Sequence, residues 1–116
     1  MKPQSSLDDG TSPVWWAEDG TGVRLALAGE IDMRCREELA AVLDDLSAQP
    51  PADVTADLAR VTFISSEGLA FLVRLHGQLT RARRRLSVLD PPPDVRRVFE
   101  LTDLDQLFTI VESSAQ

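Results

Sequence analysis

The chain has 116 residues, 43% of them hydrophobic and 27% charged, with a formal net charge of −7. That length gives room for one domain with one core, and the composition is that of an ordinary soluble globule. The acidic balance argues against a nucleic-acid partner, because affinity for a phosphate backbone needs clustered Lys and Arg. A single cysteine, Cys35, rules out an internal disulfide, which fits a reducing compartment. Apolar runs such as Leu69 to Val73 span five residues, far too few to cross a bilayer, and no charged-then-apolar signal segment opens the chain. The expected location is cytoplasmic, with no membrane insertion. One His and one Cys cannot make a structural zinc site, and there is no Walker sequence; no metal and no cofactor are expected.

In chain order, Met1 to Pro13 is polar, with almost nothing to bury, and reads as a disordered leader. Val14 to Ala17 is the first strand, Glu18 to Gly22 a glycine turn, and Val23 to Leu27 a half-buried second strand, together a hairpin. The adjacent Trp15 and Trp16 must point to opposite faces of their strand, so one belongs to the core. Gly29 breaks the second strand and Asp32 caps the helix that follows. Met33 to Ala48 is that helix, with Leu39, Val42, Leu43 and Leu46 on one face. Cys35 lies one turn earlier on the same stripe, as a packed and unreactive thiol. Pro50-Pro51 ends the helix, and Val54 to Leu58 forms the next strand.

The stretch from Val61 to Val73 runs from a β or loop segment straight into an apolar helix, with Ser65, Ser66, Glu67 and Gly68 at the joint. A serine there is an ordinary helix cap. The free N–H groups and the positive end of the helix dipole also suit an anion, including a phosphate carried by the serine itself. Leu69, Leu72, Val73 and His76 define one buried face of the helix, widened by Phe71 and Leu75 so that it packs on two sides. Arg81, Arg83, Arg84 and Arg85 close it near Arg83; they read first as a solvated helix end offsetting the dipole, and second as a docking patch for an acidic partner.

Arg85 to Leu89 is a strand, and strand, helix, strand in one sheet implies a parallel, right-handed crossover. Asp90 to Pro93 is a rigid turn, and Asp94 to Leu101 a short helix presenting Val95, Val98, Phe99 and Leu101. Leu107 to Val111 is the last strand. The predicted fold class is α/β: one domain over 14–111, with a hairpin and βαβα units giving a mixed sheet with helices packed on it, and a short tail over 112–116. Functional sites in such sheets lie beyond the carboxyl ends of the strands, the edge on which Ser65 to Gly68 falls.

The run Asp57-Leu58-Ala59-Arg60-Val61-Thr62-Phe63-Ile64-Ser65-Ser66-Glu67-Gly68-Leu69 resembles the signature of STAS domains, specifically the single-domain anti-sigma-factor antagonists. That family reads D-L-x-x-V-x-F-[apolar]-D-S-[S/T/A]-G-L, and the serine of its D-S pair is phosphorylated by a partner kinase. Gly29-Glu30-Ile31-Asp32 resembles the G-E-[L/I]-D loop that lies beside that acceptor, and Leu101-Thr102-Asp103-Leu104 resembles its L-T-G-L, with Asp103 in the glycine's place, where aspartate tolerates the left-handed conformation better than most residues. The resemblance covers about residues 14 to 111. It implies that Ser66 is the phosphorylation site, with Ser65 (in the aspartate's place) as reserve. Glu30, Asp32, Ser65, Ser66, Glu67 and Gly68 would form the partner-binding edge.

The implied function is to bind an anti-sigma factor of the serine-protein kinase type and release a sigma factor, with phosphate on Ser66 turning binding off and a phosphatase restoring it. The alternative is a non-switching STAS subunit that docks constitutively in a transporter or signalling scaffold. An enzyme is not expected. Ile64 to Gly68 loosely resembles a nucleophile elbow but lacks its first glycine. The lone histidine, His76, would stand about 15 Å from Ser66 along the same helix, out of reach of its hydroxyl.

Overall fold

The computed structural model describes residues 12–113; the expected leader over residues 1–11 and the last three residues of the tail lie outside them. Five strands are present: β1 (Val14–Asp19), β2 (Gly22–Ile31), β3 (Val54–Ile64), β4 (Leu86–Leu89) and β5 (Thr109–Val111). They form one sheet in the order β1-β2-β3-β4-β5. The β1–β2 hairpin is antiparallel and every later pairing is parallel. The helices are α1 (Arg36–Ser47), α2 (Ser66–Arg81) and α3 (Pro93–Leu101), with 3-10 turns at Met33–Cys35 and Leu104–Gln106.

Alternation along the strands sorts the sheet into two faces. Val14, Trp16, Val23, Leu25, Leu27, Val54, Ala56, Leu58, Leu86 and Val88 are buried on one of them. Residues between them, such as Trp15, Arg24, Thr55, Asp57 and Ser87, are half-buried on the other. Trp16 is thus the core tryptophan and Trp15 the peripheral one; the indole Nε1 of Trp16 is buried without a hydrogen-bond partner. Helix α2 meets the expectation of packing on two sides, since it contacts β3 and β4 and also α1. Its buried residues are Gly68, Phe71, Leu72, Leu75 and Leu79, while Val73 is exposed, contrary to the stripe expected from its spacing. His76 is half-buried, edge-on to Phe108 at 6.2 Å between ring centroids. In α3, Val95 and Phe99 are buried, whereas Leu101 at the end of the helix is 73% exposed.

Several expected boundaries move: β1 runs past Ala17 to Asp19, α2 ends at Arg81 rather than near Arg83, and β5 starts at Thr109 rather than Leu107. Three more move for a local reason. Gly29 does not break the second strand: β2 continues to Ile31, with Gly29 at φ +79°, a conformation that glycine adopts freely. The third strand does not stop at Leu58 but runs on to Ile64. Two register shifts against β2 accommodate the extra residues of β3: Ala26 faces Asp57 while Ala28 faces Arg60, and Gly29 faces Val61 while Glu30 faces Phe63. Asp57 holds the first bulge by accepting from the Ala59 N–H at 3.0 Å, and its other oxygen pairs with Arg24 at 3.1 Å. The third change falls after Asp32, where a 3-10 turn precedes the α-helix.

Candidate functional site

After the two bulges, β2 and β3 end in register, Ile31 opposite Ile64. The loops that follow therefore start side by side, and the Ser65 N–H donates to the Ile31 carbonyl at 2.9 Å. This brings Glu30 and Asp32 to the start of α2. Gly68 explains how closely the helix can settle there. A Cβ on Gly68 would lie 2.6 Å from Ile64 Cγ1 and 2.9 Å from Ile31 Cγ2. Gly68 is itself buried beneath the helix start, so its part is to let α2 seat on both strand ends.

The two serines are not equivalent. Ser65 is the N-cap, extended at φ −96° and ψ −178°, and its Oγ accepts from the Glu67 N–H at 3.1 Å. Ser66 is the first helical residue; it is exposed, and its hydroxyl has no hydrogen-bond partner among the described residues. Glu67 follows in the first turn, where a carboxylate is favoured by the helix dipole.

Across from them, Asp32 Oδ1 accepts from the Arg34 N–H at 3.0 Å and so caps the 3-10 turn, as its expected capping role requires. The Arg34 guanidinium returns to the same carboxylate, Nε to Oδ1 at 3.2 Å and Nη2 to Oδ2 at 2.8 Å, and also reaches Glu30 Oε1 at 2.6 Å. The Arg34 side-chain hydrogen bond, helped by the Arg34 backbone N–H, holds the Asp32 carboxyl below its ordinary 3.8. A lowered carboxylate pKa means that this contribution is complete above the ordinary value and is lost as the pH falls through the lowered one. The Arg34 pKa is raised in turn by the hydrogen bonds its guanidinium donates to Asp32 and then to Glu30.

Asp32, Met33, Arg34, Ser65, Ser66 and Glu67 line one open cleft of about 500 Å³. Two large apolar side chains stand exposed on these same segments, Met33 at 60% and Phe63 at 51%. Exposed apolar side chains beside polar groups are what a protein-docking surface presents. Of the residues expected at this edge, Asp32, Ser65, Ser66 and Glu67 line the cleft, Glu30 is linked to it through Arg34, and Gly68 is buried beneath the helix start. Sequence reasoning did not single out Arg34, Met33 or Phe63 as surface features. The Asp32-Met33-Arg34 spacing is a weak signal for a cap with a basic side chain folded back on it. The exposure of Phe63 arises from the second register shift.

A family model described as "Mlab, STAS domain" matches residues 16–112. The anti-sigma-B factor antagonist of Staphylococcus epidermidis is 28% identical over 88 residues, 76% of this chain and 82% of that relative. An anti-sigma factor antagonist from Mycobacterium paratuberculosis has a structure similar at a TM-score of 0.70 and 27% identity, covering 87% of this chain and 86% of that one. The anti-sigma factor antagonist SpoIIAA in its unphosphorylated form gives a TM-score of 0.76 at 20% identity, covering 87% of this chain and 88% of that one. The phosphorylated form of Bacillus SpoIIAA gives 0.71 at 20% identity, covering 87% and 91%. These two SpoIIAA likenesses concern the fold. Among the described residues no helix is long and apolar enough to cross a membrane. The relatives are regulatory binding proteins, and with its hairpin, parallel crossovers and paired strand-end loops this chain belongs to the STAS domain family.

Proposed function

We propose that the chain is an anti-sigma-factor antagonist whose Ser66 edge binds an anti-sigma factor of the serine-protein kinase type and thereby releases a sigma factor. Phosphate on Ser66 switches this binding off, and a phosphatase restores it. The observation that carries the reading is the difference between the serines: Ser65 has its oxygen engaged in the cap, while Ser66 presents a free, exposed hydroxyl to the cleft. Met33 and Phe63 supply apolar contact area beside it, and Glu30 and Asp32, paired with Arg34, supply a polar rim. A phosphate would add about −1.5 to −2 charges at the centre of that contact. The helix start tolerates the anion, so the fold persists while docking fails.

A second reading, constitutive docking in a transporter or scaffold without a switch, is favoured by one observation. Ser65 and Glu67 stand where the antagonist signature has an aspartate and a small residue, and Glu67 places a permanent negative charge next to the acceptor. Both readings predict binding at the same edge and differ in the phosphate.

The deciding experiment incubates the protein with the serine-kinase anti-sigma factors of its own cell and maps incorporated phosphate by mass spectrometry. Ser66→Ala is expected to abolish incorporation and Ser65→Ala to retain it. The reverse pattern would move the switch to Ser65, and no incorporation with any of these kinases, alongside retained binding, selects the constitutive reading.

A further inference from the structure

The Ser66 cleft is lined by two carboxylates, Asp32 and Glu67, and by a single cation, Arg34. In the unmodified chain that cation is shared between Glu30 and Asp32. Its side chain is 71% exposed, so little packing holds it in this arrangement, and exposed ion pairs of this kind are weak. A phosphoserine at position 66 would bring a dianion with three strong acceptor oxygens to the same cleft. The planar guanidinium fork meets the Asp32 carboxylate at two points, and the same fork can take two oxygens of a phosphate that carries up to twice that charge.

We infer that Arg34 is the phosphate-binding residue of the modified chain, leaving Glu30 and Asp32 when Ser66 is phosphorylated. The inference rests on the proposed modification at Ser66 and adds what that modification does. Moving Arg34 strips Glu30 and Asp32 of their cation. The docking edge then carries the phosphate and also two carboxylates that were previously neutralised in part, so one modification changes the field of both loops. Glu67, one residue beyond the acceptor, repels the phosphate throughout and increases its need for a counter-ion. The Asp32 carboxyl, held low by Arg34 in the unmodified chain, returns towards its ordinary value when Arg34 departs.

The test uses full-length protein carrying genetically encoded phosphoserine at position 66, so no kinase is needed. Phosphorus-31 NMR titrations compare the wild type with Arg34→Gln and Arg34→Lys, while carbon-13 carboxyl NMR follows Asp32. Asp32 and Glu67 line the phosphate's cleft in all three proteins, with Glu30 behind Arg34. The expected result is a second phosphate ionisation about half a pH unit or more lower in the wild type than in Arg34→Gln. Arg34→Lys should lie between them, because it keeps the charge and loses the fork. In the wild type, phosphorylation should also raise the Asp32 midpoint. Identical phosphate midpoints in all three proteins would assign the phosphate to the helix N–H groups or to solvent and overturn the inference. So would an Arg34→Gln midpoint equal to that of the wild type, whatever Arg34→Lys shows. Failure of every kinase to modify Ser66 would count against the proposed switch alone, because these titrations do not depend on it.

Discussion

The two ends of the sheet carry charge in opposite ways. At the carboxyl end of β2 and β3, one arginine and two carboxylates are tied together by hydrogen bonds of 2.6–3.2 Å, beside a serine with a free hydroxyl. At the other end, Arg83, Arg84 and Arg85 border a cleft shared with Asp53, His76 and Thr80, and none of the three makes an ion pair among the described residues. The arginine end has the larger unbalanced charge, and the serine end has the organised one. The arginines follow a helix terminus whose backbone is already satisfied: the Arg83 N–H bonds the Thr80 carbonyl and the Arg84 N–H bonds the Leu79 carbonyl, closing α2 in a Schellman arrangement. Charge density therefore marks the end where α2 stops, while paired charge marks the end proposed to meet a partner.

The strongest way to break this contrast is to remove the seat of α2. Gly68→Ala puts a methyl 2.6 Å from Ile64 Cγ1 and 2.9 Å from Ile31 Cγ2. Alanine gains roughly 1 kcal/mol over glycine in an open helix, but overpacking of this kind costs about 1–3 kcal/mol, so urea denaturation should show a net loss of stability. A more stable variant would mean that the strand ends do not hold the helix start. A smaller effect comes from the cap: Ser65→Ala should destabilise by about 1 kcal/mol, and Ser66→Ala should stay within about 0.5 kcal/mol. Equal losses in the two variants would erase the division of labour between the serines. The smallest effect is expected at the arginine end. Arg83 sits at φ +62°, which strains a residue with a Cβ. Arg83→Gly relieves that strain and offsets it with greater freedom of the unfolded chain, for a net change of no more than about 0.5 kcal/mol. Its binding to an anti-sigma factor should match the wild type in calorimetric titration, and a tenfold weakening would make the arginine end part of the docking surface.

The sequence made the hairpin, the parallel crossover and the position of the Ser66 edge legible, because each rests on local chemistry: a glycine turn, an apolar helix between two strands, a serine before an apolar run. Asp103 takes the left-handed conformation expected of it, at φ +62°. The full length of β3 was not legible. Its bulges at Leu58–Ala59 and at Thr62 interrupt the two-residue alternation by which strands are recognised, and the pairing that stabilises them belongs to β2. Val73 and Leu101 show a different limit. Periodicity identifies a stripe, but the neighbours that cover it decide its width, and both residues fall beyond that cover. Arg34 was invisible for a third reason: its partners depend on a turn geometry that residue type alone does not specify.

The tryptophan pair has a consequence for anyone following these molecules in solution. With no tyrosine in the chain, ultraviolet emission comes from two indoles on opposite sides of one strand. Trp16 lies in the apolar core with its N–H unbonded, an environment that shifts emission to the blue and shields it from dissolved quenchers. Trp15 sits half-covered on the open face, beside Ala26, Asp57 and Arg60, where its light is redder and quenchable. A single spectrum therefore carries two separable signals, one from the interior and one from the opposite face of the sheet, with no label attached.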